Sequence, residues 1–100
     1  MKEPLSFEPG RIVRSLQGRD RGRYFLILGR ADGGTVLIAD GLTHRLERPK
    51  KKNVRHLHAK PIVINLKTVR PEGGPVQDSD LRRALEQNGF PVDRSLCEEG

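Results

Sequence analysis

The chain contains 100 residues, with 19 Lys and Arg against 13 Asp and Glu, and its formal net charge is +6. This length allows one domain, or one domain with a tail, and a core built mainly from aliphatic side chains, because only one Tyr and three Phe are present. No apolar run is long enough to span a membrane, and the single cysteine, Cys97, cannot form an internal disulfide. These properties exclude the transmembrane and disulfide-scaffold classes and predict a cytoplasmic protein.

The charge is unevenly distributed along the chain. Residues 1–60 contain 14 Lys and Arg against 6 Asp and Glu, whereas residues 61–100 contain 5 against 7. A basic first part predicts a surface that binds a polyanion, most simply a nucleic acid. An anionic membrane is the rival partner, but the sequence has no long basic amphipathic helix to lie on one.

Short runs of apolar and β-branched residues predict strands at 11–16, 24–30, 35–39, 42–47, 53–58 and 62–66. Asp40-Gly41 is typical of a two-residue hairpin turn, so the third strand is expected to lead directly into the fourth, which Pro49 would end. Short strands at this spacing indicate a small sandwich or barrel, and the few apolar residues favour the barrel, because closure removes exposed edges.

The remaining chain divides into a linker and a helix. The predicted domain plan is a barrel with its lead-in at 1–66, a linker rich in Pro and Gly at 67–78, and a short helix with a frayed tail at 79–100. Ser79 or Asp78 would cap the helix. Because so short a helix is unstable alone, Leu81 and Leu85 are expected to pack on the barrel or on a partner.

The most informative segment is a glycine-bounded basic loop between the first two predicted strands. Gly18 and Gly22 can adopt backbone angles that a side chain would forbid, and the loop presents Arg19, Arg21 and Arg23. Guanidinium groups suit phosphate, so the loop predicts contact with nucleic acid. The alternative is an ordinary solvated turn in which Asp20 pairs with one of the arginines.

A second group of cations follows the predicted fourth strand, and it comprises Arg45, Arg48, Lys50, Lys51, Lys52 and Arg55. A charge run of this kind is also typical of a solvated face. His56 is a candidate to stack on a base or to bind a phosphate, and Tyr24 is a candidate to touch RNA, whereas Phe25 is expected in the core.

The sequence gives no indication of catalysis, a cofactor or a metal. His44, His56 and His58 have no cysteine or carboxylate cluster to complete a ligand set. Cys97 lies in an acidic tail that would raise its pKa and make it a poor nucleophile. We therefore expect a binding protein and not an enzyme.

Four segments resemble a known family in order: GRIV at 10–13, GRDRGR at 18–23, VLIADG at 36–41 and RPKKKNVRHL at 48–57. The loop and its flanking strands resemble a KOW motif, which ribosomal proteins and NusG-type transcription factors share. Together the four segments are most similar to the short bacterial relatives of the large-subunit ribosomal protein family numbered fourteen of the archaeal and eukaryotic type. The resemblance covers roughly residues 8–66.

This resemblance implies an SH3-like barrel that binds ribosomal RNA without catalysis. Gly22 corresponds to the glycine of the motif, and 50–55 to the basic strand of the family. The predicted RNA-binding residues are Arg19, Arg21, Arg23, Arg45, Arg48, Lys50, Lys51, Lys52, Arg55 and His56. The alternative is a KOW-type protein-interaction module, in which Leu81 and Leu85 would contact a partner such as a ribosomal protein. DNA binding through the backbone is a third possibility.

Overall fold

The computed structural model describes residues 6–70 and 74–90, so the predicted frayed tail at 91–100 and Cys97 lie outside the described residues. The strands are β1 (Arg11–Ser15), β2 (Tyr24–Arg30), β3 (Thr35–Ala39), β4 (Lys50–Asn53) and β5 (Leu57–Val63); a 3-10 helix spans Val54–His56 and an α-helix, α1, spans Asp78–Gln87. The fold is therefore mainly β with one short C-terminal helix, as the sequence predicts. Across the described ranges, no helix has the length and apolar character needed to cross a membrane.

The five strands form one antiparallel sheet in the order β4-β3-β2-β1-β5. Its two edge strands are consecutive in the chain and are joined by the 3-10 helix. The Nζ atom of Lys52 in β4 lies 2.7 Å from the carbonyl oxygen of Gln17, just beyond β1. In a flat sheet β4 and β1 would be about 14 Å apart, so the sheet is strongly curled. Closure of this curled sheet into a barrel stays a prediction.

Side-chain alternation gives the sheet an apolar layer on each face. Val13, Phe25, Ile27, Val36, Ile38 and Leu57 cluster on one face. Lys52 pairs across strands with Val36 and so shares that face, which identifies it as the concave side. On the opposite face Ile12, Leu26 and Ala39 are covered by α1 through Leu81, Ala84 and Leu85.

The helix belongs to the core. Leu81 and Leu85 are both 0% exposed, so they pack on the sheet and are not available to a partner. This corrects the expectation that they could contact a ribosomal protein. The predicted caps are also wrong: Asp80 accepts a hydrogen bond from the backbone N–H of Gln77 at 2.8 Å, while Asp78 accepts one from the backbone N–H of Leu46.

The predicted strand at 42–47 is wrong, because residues 40–49 form a loop. The buried carboxylate of Asp40 accepts hydrogen bonds from the backbone N–H groups of Leu42, Thr43 and His44, each at 2.9 Å. These hydrogen bonds satisfy backbone N–H groups that would otherwise pair with the neighbouring strand of a hairpin. Gly41 has a φ of +81°, and a Cβ there would collide with the carbonyl oxygen of Asp78, so the position also admits the close approach of α1.

The strands after this loop also begin and end at residues other than those that the sequence predicts. β4 begins at Lys50, after Pro49, where the residue pattern alone indicates a charge run and the family resemblance implies a basic strand. The predicted strands at 53–58 and 62–66 are replaced by the 3-10 helix and by β5, which ends at Val63.

We expect Leu85→Ala to reduce the free energy of unfolding by about 2–5 kcal/mol, because it leaves a cavity between α1 and the sheet. Glu86→Ala, at the exposed neighbouring position, should change it by less than about 0.5 kcal/mol. Urea unfolding followed by circular dichroism measures both. Equal effects of the two substitutions would show that the helix does not contribute to the core.

Candidate nucleic-acid interface

The loop between β1 and β2 is a compact turn, as its glycines predict. Gly18 and Gly22 have φ values of +92° and +87°, which other residues rarely adopt. The backbone N–H of Gly22 donates to the carbonyl oxygen of Ser15 at 2.8 Å, and the backbone N–H of Ser15 donates to the carbonyl oxygen of Arg23 at 2.9 Å. The two strands are thus tied together beneath residues 18–22.

The acidic residue of the loop points inward. The side chain of Asp20 is 4% exposed, and its Oδ1 accepts hydrogen bonds from Lys52 Nζ at 2.9 Å and Ser15 Oγ at 2.8 Å. Its Oδ2 lies 3.4 Å from Lys50 Nζ. We call these four residues the Asp20 cluster. Asp20 therefore pairs with lysines of β4 and not with a loop arginine.

The electrostatics of the cluster favour an ionised Asp20. Burial alone would raise the pKa of this carboxyl, but the hydrogen bonds from Lys52 and Ser15 and the charges of Lys50 and Lys52 outweigh it. Together they lower the pKa from 3.8 to about 2. The carboxylate and the two ammonium groups therefore connect the loop to β4 as a charged unit at neutral pH.

The loop arginines point away from this cluster. Arg19 and Arg21 are exposed and Arg23 is partly exposed. None of their side chains has a hydrogen bond or an ion pair within residues 6–70 and 74–90. Since Asp20 is paired with lysines, the guanidinium groups carry uncompensated positive charge into solvent.

The three lysines of β4 are not equivalent, although the sequence predicts the same role for all of them. Lys52 is 9% exposed and donates to Asp20 and to the carbonyl oxygen of Gln17, so its ammonium group is used inside the protein and we leave it out of the proposed binding surface. Lys50 lies on the same face but is 36% exposed. Lys51 pairs with Leu37 on the opposite face and is exposed, because side chains alternate along a strand.

The remaining predicted cations lie in segments that adjoin the loop or β4. Arg55 is exposed in the 3-10 helix, beside the partly buried His56, whose carbonyl oxygen accepts a hydrogen bond from the backbone N–H of Leu16 at 2.8 Å. Arg45 and Arg48 are exposed in the loop at 40–49.

His44, in the loop at residues 40–49, lies within electrostatic range of Lys50 and Arg23. Burial lowers the pKa of His44, and the charges of Lys50 and Arg23 lower it further, while those of Asp40 and Asp20 act in the opposite direction. Its ring also lies 5.7 Å from that of Phe25, between centroids. The described parts of the chain bring no three His, Cys, Asp or Glu side chains together in a way that could hold a metal ion.

The two adjacent aromatic residues of β2 face opposite sides. Phe25 is 0% exposed in the concave core, as expected. Tyr24 is partly exposed, and its ring stacks on that of Phe90 with 4.2 Å between centroids. Tyr24 lies beside Arg14 of β1, which in turn lies beside His58 of β5. Neither Arg14 nor His58 was among the RNA-binding residues that the sequence predicts. Their shared face follows from the pairing of β1 with β2 and β5, which local sequence does not specify.

Compared with known proteins, the chain matches no protein-family model and no curated sequence. The resemblance to KOW proteins therefore stays a prediction that depends on the sequence segments quoted above.

We expect Lys52→Met to reduce the free energy of unfolding by about 3 kcal/mol, because it removes a partner from a buried carboxylate. Lys51→Met removes the same charge from an exposed position and should have an effect within about 0.5 kcal/mol. Thermal or urea unfolding measures both. Equal stabilities of the two variants would contradict a structural role for Lys52.

The Asp20 cluster also predicts a pH dependence of stability. Because the folded-state pKa of Asp20 is about 2 and the usual value is 3.8, its stabilising contribution is present above about pH 4 and is lost as the pH falls toward 2. The difference in unfolding free energy between the wild-type protein and Asp20→Asn should shrink by about 2 kcal/mol over that interval. Urea titrations at several pH values measure this difference, and a constant value would contradict the assigned pairing.

Proposed function

We propose that this protein binds structured RNA, and in particular ribosomal RNA, without catalysis. The surface involved is the basic interface, which we define as Arg19, Arg21, Arg23, Arg45, Arg48, Lys50, Lys51, Arg55 and His56. The observation that carries the proposal is the inward orientation of Asp20. It leaves the arginine loop with exposed guanidinium groups that have no acidic partner in the described chain.

The charge balance around this surface supports a polyanionic ligand. Residues 17–23 and 45–55 contain nine Lys and Arg against two acids, Asp20 and Glu47. Asp20 is paired in the interior with Lys52, so that pair contributes little net charge to the surface. The remaining cations lie in loops, in the 3-10 helix or on the edge strand β4. Such an arrangement attracts phosphates and makes the affinity fall as salt increases.

The aromatic residues favour recognition of shape over recognition of sequence. Phe25 is fully buried and Tyr24 stacks on Phe90, so neither forms an open platform on which successive bases could stack. A surface of cations without such a platform suits the backbone of folded RNA. The resemblance to KOW proteins supports the same ligand and a cytoplasmic location on or near ribosomes, as a component or an associated factor.

The main alternative is a KOW-type protein-interaction module, in which the apolar side of α1 would contact a partner. Leu81 and Leu85 are buried against the sheet, so that side of the helix has no exposed apolar strip to offer. Binding to DNA through its backbone is a third possibility, which competition with duplex DNA distinguishes.

We expect R19E/R21E to abolish most RNA binding while the protein remains folded, because both side chains are exposed and have no hydrogen bond or ion pair in the described structure. The double-logarithmic slope of affinity against salt should become shallower by about 1.5–2. The matched control is R30E/K67E, which makes the same change in net charge at exposed positions outside the basic interface.

The measurement is equilibrium binding to ribosomal RNA fragments over a range of salt concentrations, with duplex DNA as competitor. Equal losses in the two variants would mean that only net charge matters and would contradict the assigned surface. Stronger competition by duplex DNA than by structured RNA would overturn the proposed ligand. Sedimentation of the protein in lysate at low and high salt then separates a permanent ribosomal component from a factor that high salt releases.

A further inference from the structure

One exposed row on the convex face of the sheet is left uncovered by α1. Arg14 in β1 pairs with Tyr24 in β2 and with His58 in β5, so the three side chains lie side by side on one face. The preceding row on that face, Ile12 and Leu26, is buried under α1. Arg14 and His58 are both exposed.

Two side chains of this row, Arg14 and His58, can donate hydrogen bonds to an anion. Neither Arg14 nor His58 has a side-chain hydrogen bond or an ion pair within the described residues. Another cation of β1, the buried Arg11, is paired within the protein and donates to Glu8 and to the carbonyl oxygen of Lys60, both at 3.1 Å. Guanidinium and imidazole groups on adjacent strands can donate together to one phosphate.

The row is also continuous with the basic interface. Arg14 directly precedes Ser15 of the Asp20 cluster, and Tyr24 directly follows Arg23 of the loop. Lys50 and Lys52 lie on the concave side of the sheet, whereas Arg14 and His58 lie on the convex side. The loop at residues 17–23 therefore lies between Lys50 on the concave side and Arg14 and His58 on the convex side.

We propose that Arg14 and His58 form a second phosphate-binding point for the same RNA, on the convex side of the arginine loop. The inference rests on the proposed function and extends it from the basic interface to the row of Arg14 and His58 beside the loop. An RNA backbone that passes over the loop then contacts the protein on both sides. Tyr24, whose ring stacks on Phe90, lies next to Arg14 in this row.

The first test uses the variant R14Q/H58Q and the matched control R30Q/K67Q, whose substituted side chains are also exposed. We expect R14Q/H58Q to weaken binding to ribosomal RNA fragments about fivefold at physiological salt and to make the salt slope shallower by about 1. The control should bind like the wild-type protein. Unchanged affinity and slope in R14Q/H58Q would overturn the inference. Melting temperatures check that both variants are folded.

The second test separates this inference from the proposed function and uses inorganic pyrophosphate as the probe. Nuclear magnetic resonance should show saturable shifts of the Arg14 side-chain N–H and the His58 ring, with no shift of the Arg30 side chain. Absence of shifts at Arg14 and His58 would overturn the inference, whatever the RNA measurements show. Saturable shifts at both residues, in a protein that does not bind RNA, would support an anion site there and refute the proposed function.

Discussion

The buried contact between Asp20 and the lysines of β4 is the interaction on which the rest of the structure depends. It joins the loop after β1 to a strand that is not the neighbour of β1 in the sheet. The contact can form only if the sheet curls, and once formed it resists flattening. A buried carboxylate is costly without partners, and in this arrangement Lys52, Ser15 and Lys50 supply them.

The same contact separates a buried cation of the chain from the exposed ones. Lys52 is used inside the protein, while the loop arginines remain outside without acidic neighbours. A loop in which Asp20 paired with Arg19 or Arg21 would present less positive charge to solvent. The structural contact and the proposed binding of RNA are therefore linked through one carboxylate.

The second organising constraint is the helix. The sheet has apolar side chains on both faces, and a 100-residue chain cannot leave one of those faces in water. Helix α1 covers the convex face over Ile12 and Leu26 and leaves Arg14 and His58 exposed beyond its end. Its position thus decides both which part of the sheet is core and which part can contact a ligand.

The sequence predicted the elements whose signals are local. The runs at 11–16, 24–30 and 35–39 became strands close to those limits, and Gly18 and Gly22 adopted the expected positive φ. Each of these features depends on neighbouring residues. The signal at Asp40-Gly41 failed because the Asp40 side chain bonds to the backbone ahead of it. The residue pattern at Lys50–Asn53 did not indicate a strand, because three consecutive charges hide the alternation, although the family resemblance implied one there.

For the candidate site, the sequence by itself determined the composition: a glycine-bounded loop with three arginines, and a second basic segment at 45–55. Only the tertiary structure decided which cations face solvent. Lys51 and Lys52 are adjacent and chemically identical, yet one is exposed and the other is buried against Asp20, which is 32 residues away in the chain. The same holds for Arg14 and His58, which meet only because β1 pairs with β5. Contacts between distant segments are set by the packing of the whole sheet, so no local pattern in the sequence could specify them.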